Sequence, residues 1–419
     1  MSSLRAVKGM KDILPDEIAQ WQRLERAFRE RVERYGFREV RLPIVEPTAL
    51  FVRSIGETTD IVEKEMYTFS DRAEKSLTLR PEGTASAVRA YIQHSVQGKE
   101  PVSKWYYLGP MYRRERPAKG RYRQFYQAGI EAFGDAGPQL DAEIIDMVVG
   151  FISSLGIDQV EVLINSIGGA ETREKYREAL LAFLEPQRAE LCPDCQRRMD
   201  ANPLRVLDCK VPRCSEITAD APSILRHLTD EDRAHFDGLQ ETLTALGTPY
   251  RVDESLVRGL DYYTRTLFEV LGKGEGLGAQ NALLGGGRYD GMVKNLGGAD
   301  VPAIGFAMGL ERLLMAMPQE EPSSHIDVFV VPQAAVRAEA AVLGRELREA
   351  GLRVETDLRG GSFKSQLRRA DKMGAHVALL LGEAELESAT VQLKNLRANT
   401  QDSVARDAVV AAVQAVFGK

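Results

Sequence analysis

The chain has 419 residues, 44% of them hydrophobic and 28% charged, with 36 Gly and 18 Pro. This is the composition of a soluble globular protein of two or three domains, and it excludes a disordered, collagen-like or coiled-coil chain. A net charge of −6 argues against coating nucleic acid by bulk charge, because polyanion affinity comes from cations that neutralise phosphates. Apolar runs such as Val377 to Leu381 are far short of the roughly 18 residues needed to cross a bilayer, and no hydrophobic block follows Arg5, Lys8 and Lys11. No membrane anchor or secretory signal is expected.

From Asp16 to Tyr35 the residues Ile18, Trp21, Leu24, Phe28 and Val32 recur at steps of three and four, which predicts an amphipathic helix ended by Gly36. Phe37 to Val45 alternates, and Pro43 limits it to a short or edge strand. Lys104 to Phe133 reads as two strands joined by a basic loop. In the second strand, period-two geometry puts Phe125, Gln127, Gly129, Glu131 and Phe133 on one face and Gln124, Tyr126, Ala128 and Ile130 on the other. The plain reading of that arrangement is a half-exposed sheet face. Between Arg113 and Arg123 six cations stand against Glu115 alone, so the loop is an anion-binding candidate as well as a solvated surface.

Residues from about 170 to 250 change character, with helical stretches and many surface charges, and are expected to form an inserted helical module. All four cysteines fall here, as Cys192-x₂-Cys195-x₁₃-Cys209-x₄-Cys214. Two closely spaced pairs suit a tetrahedral zinc site, and they equally suit reduced thiols without metal in a reducing cytoplasm. A strand returns at Thr266 to Leu271. The cluster Gly272, Gly274, Gly276, Gly278 after it departs from the dinucleotide-binding spacing and reads as a mobile hairpin. None of the five histidines sits at ligand spacing.

The polar stretch Gln319 to Ser324 marks a domain boundary. Beyond it, strands at Asp327 to Val331, Leu352 to Thr356, Val377 to Leu381 and Thr390 to Asn395 alternate with helices. One helix carries Val336, Ala340, Leu343 and Leu347, a second spans Phe363 to Met373, and a final one is expected from Ser403. Alternation of this kind predicts a separate α/β domain. Its stretch from Arg359 to Lys372 holds five cations against Asp371.

Separated segments then read together. Gly109 to Glu131 (GPMYRRERPAKGRYRQFYQAGIE) resembles motif 2 of class II aminoacyl-tRNA synthetases, Ala303 to Arg312 (AIGFAMGLER) resembles motif 3, and the first helix with its Pro43 strand resembles motif 1. Val257 to Tyr263 (VRGLDYY) and Gly286 to Gly291 (GGRYDG) are similar to two signatures of the histidyl-tRNA synthetases. The likeness runs from Lys8 to Pro15 (KGMKDILP) through to the terminal domain. It implies an α+β chain: a class II antiparallel-sheet catalytic domain over residues 1–320 with a helical insertion at about 170–252, then an anticodon-binding α/β domain over 325–419.

The chemistry so implied is attack of a histidine carboxylate on the α-phosphorus of ATP, bound with magnesium, followed by transfer of the histidyl group to tRNA. Reaction between two anions needs fixed cations more than a nucleophilic side chain, and arginine binds phosphate oxygens in a bidentate manner while staying charged. The resemblance gives Arg113, Arg258 and Arg312 as catalytic, with Glu115, Arg121 and Phe125 joining Arg113 and Arg312 around ATP. It gives Glu82, Thr84 and Gln127 to the histidine α-amino group, and Glu131, Tyr262 and Tyr263 to the imidazole. A pocket that pairs both ring nitrogens rejects apolar amino acids by roughly 10⁴ or more, because its own buried groups would be left unpaired. Contacts to tRNA fall to Arg116 and Lys119 in the motif 2 loop and to Arg359, Lys364, Arg368 and Arg369 in the terminal domain. A cytoplasmic homodimer is expected. The rival reading is the non-catalytic, synthetase-like regulatory subunit of ATP phosphoribosyltransferase, which usually lacks the terminal domain and loses the active arginines; all three stand here.

Overall fold

The two strands predicted around the basic loop pair with each other: Ser103–Tyr112 and Gln124–Phe133 run antiparallel in full register, Tyr112 opposite Gln124 and Ser103 opposite Phe133. The computed structural model of the chain describes residues 4–57, 59–273, 281–318 and 325–418. It divides into two units, Met1–Glu320 and Glu321–Lys419. The predicted boundary Gln319 to Ser324 and the glycines at 274, 276 and 278 lie outside the described residues. Among the described residues no helix is long and apolar enough to cross a membrane.

The first unit is built on a sheet in which eight strands can be traced among the described residues. Its order is Arg38–Glu39, Ser103–Tyr112, Gln124–Phe133, Ala303–Gly309, Ala282–Arg288, Thr264–Gly272, Val160–Ser166 and Arg251–Val252. The inner pairings are antiparallel, whereas the two short edge strands pair parallel. Four helices cover one face: Pro15–Glu33, Pro138–Ser154, Asp230–Leu246 and Leu310–Ala316. Trp21, Leu24, Phe28 and Val32 of the first helix are buried there with Ile144, Phe151, Phe236, Leu239, Leu313 and the sheet's Ile130, Phe268 and Phe306. Each such side chain contributes about 1.5–3 kcal/mol by leaving water. With one face filled, the opposite face is left for polar groups.

The expected strand from Phe37 to Val45 is broken. Arg38–Glu39 joins the large sheet, while Val45–Pro47 pairs with Ser76–Leu79 in a separate three-stranded sheet. The proline between them cannot donate to a ladder, so the chain leaves one sheet there before entering the next.

Within the expected insertion, the helices Ala170–Leu184, Pro193–Ala201 and Pro212–Thr218 gather around a core of their own that includes Tyr176, Leu180, Leu184, Met199 and Ile217. The helix Asp230–Leu246 instead lends Phe236, Leu239 and Leu243 to the main core.

The second unit is a five-stranded sheet ordered Val354–Thr356, Val328–Pro332, Val377–Leu381, Thr390–Asn395, Thr400–Ala405. The first three strands are parallel, and Val377–Leu381 reads as an uninterrupted apolar run because both of its faces are covered. Helices Arg337–Glu349 and Val409–Val416 pack on one face and Phe363–Lys372 on the other. The final helix begins at Val409, not at Ser403. Thr400–Ala405 is a strand, folded back on Thr390–Asn395 through a turn in which Asn399 takes φ 52°, a left-handed conformation that Asn tolerates well.

Candidate active site

The open face of the large sheet carries a cavity of about 230 Å³. Alternation along Gln124–Phe133 sends Phe125 and Gln127 into it, with Glu131 deeper on the same face. Neighbouring strands supply small residues in matching register: Gly305 is opposite Glu131, and Gly285 lies between Ala307 and Glu269. The smallness is required. A Cβ on Gly285 would lie 1.9 Å from Nη1 of Arg258, and one on Gly305 would lie 2.0 Å from Oε2 of Glu131.

Arg113, Arg258 and Arg312, which stand up to 199 positions apart in the chain, all line this one cavity. Arg113 directly follows the strand Ser103–Tyr112, where its Nε donates to the carbonyl of Pro81 at 2.9 Å and its guanidinium lies 5.3 Å from the Phe125 ring centroid. Arg312, in the first turn of the helix whose Leu310 and Leu313 face the core, donates Nη1 to the carbonyl of Ala282 at 2.9 Å. Its pKa is lowered, first by burial and then by the neighbouring Arg121. Arg258 is held by Glu269. Each guanidinium is therefore held by at least one bond while keeping other N–H groups for a ligand. Glu115 and Arg121 also line the cavity and pair at 3.5 Å. The hairpin loop that bears them is clasped by the N-terminal segment, where the Gly9 carbonyl accepts from the Arg123 N–H at 2.7 Å.

Glu82 and Thr84 sit at the start of the helix Thr84–Gln93. The Glu82 carboxylate accepts the N–H groups of Thr84 and Ala85 at 2.7 and 2.9 Å, and burial raises its pKa. Gln127 is 8% exposed, and its Oε1 has no hydrogen-bond partner among the described residues. A buried acceptor in this condition calls for an incoming donor. Tyr262 and Tyr263 line the cavity with ring centroids 4.6 Å apart. Glu131 is wholly buried beneath them, accepting from the hydroxyls of Tyr107 (3.1 Å) and Tyr289. Burial pushes its pKa up to about 8, with Glu82 adding to the rise and the Tyr289, Thr84 and Tyr107 hydroxyls opposing it.

The remaining candidates lie elsewhere. Arg116 and Lys119 are exposed on the loop and do not line the cavity. In the second unit Arg359, Lys364 and Arg368 are exposed, whereas Arg369 is turned inward to Asp357 and the Gly360 carbonyl. Cys192, Cys195, Cys209 and Cys214 converge within the insertion.

Several residues of the site were not singled out from the sequence. Glu269 becomes visible as the partner of Arg258 only when strand register is known. Tyr289 and Glu311 line the cavity, and Tyr107 holds Glu131 from behind. Glu311 accepts from the Tyr126 N–H at 2.9 Å, and burial pushes it up to about 7. Behind the sheet, Asp141 accepts from Arg288, Thr266 and His235 in a buried network. Tyr289, Arg288 and Glu311 did stand inside recognised motifs, which was the available signal.

A larger cavity of about 670 Å³ continues outward from the first, sharing Arg113, Glu115, Arg121, Arg258 and Arg312 and reaching Arg198, Arg205 and Lys210 of the insertion. The inner space suits a small amino acid with part of a nucleotide, and the outer one suits a longer polyanion.

Residues 9–313 match the family described as histidyl-tRNA synthetase, and residues 327–416 match the anticodon binding domain family. The chain is 57% identical over 402 residues to the histidine–tRNA ligase of Sorangium cellulosum, covering 96% of this chain and 94% of that one. It is 49% identical over 409 residues to the histidine–tRNA ligase of Syntrophotalea carbinolica, covering 97% of each. Among solved structures, apo histidyl-tRNA synthetase of S. aureus matches with a TM-score of 0.84 at 36% identity, over 98% of this chain and 100% of that one.

Proposed function

The chain belongs to the histidyl-tRNA synthetase family, and from that premise we propose how its own residues carry the reaction. It activates histidine with ATP and charges tRNA with it, as a histidine–tRNA ligase. The ligase reading is favoured over the regulatory-subunit one by the two relatives at 57% and 49% identity, both named histidine–tRNA ligase.

The histidine carboxylate attacks the α-phosphorus in line. A carboxylate oxygen–phosphorus bond forms as the bond to the bridging oxygen breaks, and pyrophosphate leaves. Arg258 and Arg113 stabilise the negative charge on the α-phosphate, and Arg312, with Arg121, takes the γ end. Glu115 accepts from the adenine amino group and Phe125 stacks on the base. ATP enters as its magnesium complex, a substrate. Guanidinium groups already fixed by Pro81, Glu269 and the Ala282 carbonyl need no reorganisation as charge develops.

The α-ammonium of histidine sits among Glu82, Thr84 and the unpaired Oε1 of Gln127, and the imidazole sits against Glu131, Tyr262 and Tyr263. The observation that carries this reading is the convergence of three arginines and an unsatisfied buried amide on one cavity. The acceptor end of tRNA enters past Arg116 and Lys119, and the anticodon side is met by Arg359, Lys364 and Arg368. Ile44, Val45 and Phe69, 41%, 40% and 46% exposed around the small sheet beside motif 1, fit a homodimer formed there in the cytoplasm.

The test is exchange of labelled pyrophosphate into ATP with histidine, run beside proline, glycine and threonine. Exchange dependent on histidine alone is expected; exchange driven only by another amino acid would overturn the assignment.

A further inference from the structure

The four cysteines take no part in the chemistry above, yet they are drawn together from positions up to 22 apart in the chain. Their Sγ atoms all lie within 4.8 Å of one another, and those of Cys192 and Cys209 are 3.9 Å apart. Thiolates placed tetrahedrally about 2.3 Å from a zinc ion stand about 3.8 Å apart. Cys192 caps the helix Pro193–Ala201 and Cys195 lies in its first turn, Cys209 follows the short turn Pro203–Val206, and Cys214 lies in the helix Pro212–Thr218. The backbone N–H of Cys192 donates to the Cys214 sulfur at 3.3 Å, the kind of bond that eases negative charge on a metal thiolate.

Helices of 9 and 7 residues are too short to hold themselves. Three of the four cysteines are buried in the insertion's small core. Thiols used only as small apolar filler have no reason to meet at a single point. An all-sulfur set without carboxylate or imidazole selects a soft, tetrahedral ion.

We infer that Cys192, Cys195, Cys209 and Cys214 bind one zinc ion as a structural tetrathiolate, and that this knot braces the segment carrying Arg258. Binding replaces the thiol protons with metal–sulfur bonds, releasing up to four protons and requiring no oxidant. The brace can be followed atom by atom. The helix that begins in the knot ends at Asn202, whose Nδ2 donates to Asp261 at 2.8 Å. Asp261 stands three residues beyond Arg258. The same helix sends Arg198 to Asp60 at 3.2 Å. Cys192 and Cys209 themselves border the outer cavity. Asn202 is thus a positioning residue, acting on the reaction through Asp261.

The experiment begins with full-length protein expressed without added zinc, its metals measured by mass spectrometry. One zinc per chain is expected, and Cys209→Ser or Cys214→Ser is expected to lose most of it. Protein produced in cobalt medium is expected to show the visible bands of tetrahedral cobalt thiolate, a reading that does not depend on the serine variants folding. Four freely reactive thiols without metal, or two disulfides, overturn the site. Asn202→Ala, with zinc retained, is expected to lower kcat for histidine-dependent pyrophosphate exchange about tenfold while leaving KM for histidine nearly unchanged. An unchanged kcat overturns the brace.

Discussion

Nη1 of Arg258 donates to Oε1 of Glu269 at 2.7 Å, and the pair is about one fifth exposed, at 23% and 21%. Arg258 comes from an irregular segment and Glu269 from the strand Thr264–Gly272. The sheet thus fixes the direction of a guanidinium that its own segment cannot fix. Removing charge from Glu269 should therefore loosen Arg258 without removing it. Arg258→Ala is expected to lower kcat for activation by about 10²–10³, the scale found for deleting one transition-state donor, with KM for histidine nearly kept. Glu269→Gln should lie between that variant and the parent. Steady-state pyrophosphate exchange checks both, and equal losses in kcat and affinity would point to a structural role.

Gly285→Ala inserts a methyl 1.9 Å from Nη1 of Arg258. The strand cannot retreat, because it is paired on both sides. Arg258 must move instead, and a misplacement of about 1 Å can cost about 10²-fold in rate. The variant should keep its far-ultraviolet circular dichroism and lose kcat; a fully active enzyme would show that Arg258 works from another position.

The carboxyl of Glu131 is pushed from 4.5 up to about 8 by burial. As pH rises through that window the unfolded chain gives up a proton that the folded chain keeps, so this group's contribution to stability is present below about pH 4.5 and lost by about pH 8. Glu311, pushed up to about 7, acts with the same sign. Glu131→Gln should flatten the fall in stability between pH 5 and 8 by an amount on the order of a few kcal/mol. Urea denaturation across that range is the check, and parallel curves for parent and variant would refute the shift.

Arg288 and Asp141 are both wholly buried, with an ion-pair distance of 2.8 Å, and the same carboxylate also serves Thr266 and His235. Arg288→Met leaves that carboxylate without its cation. A loss of about 3–5 kcal/mol is expected, read from chemical denaturation of the variant. A loss below about 1 kcal/mol, the worth of an exposed pair, would mean that the charge is compensated elsewhere.

The basic stretch of the second unit divides into two kinds of residue. Lys364→Ala and Arg368→Ala should each reduce the slope of log affinity for tRNA against log salt by about 1 while leaving the fold intact. Arg369→Ala removes the partner of buried Asp357, at 2.6 Å, and should instead lower thermal stability with a smaller change in slope. Filter binding over a salt series, with melting curves alongside, separates the two effects.

Regular spacing made some of this molecule legible from its sequence. Trp21, Leu24, Phe28 and Val32 do form the buried stripe that their steps imply, and Phe125 and Gln127 reach the site by simple alternation. The partners of those residues were hidden, because a pair such as Arg258 and Glu269 depends on which strands become neighbours, and order in the chain does not set that. Asp141, His235 and Thr266 look unremarkable singly and acquire meaning only by meeting Arg288 in one buried volume. The helix expected from Ser403 starts only at Val409, because Ser403–Ala405 pairs as the end of the strand Thr400–Ala405, a partnership that local spacing does not set.

The strand Ala303–Gly309 inserts between Gln124–Phe133 and Ala282–Arg288, the last of the sheet's strands to be synthesised and among the most central in position. A growing polypeptide therefore holds two raw sheet margins apart on the ribosome until the strand that joins them emerges, a long-range closure of the slow kind. A nascent or prematurely ended chain has no floor on which to gather ATP and histidine, and it offers an adhesive edge to its neighbours instead.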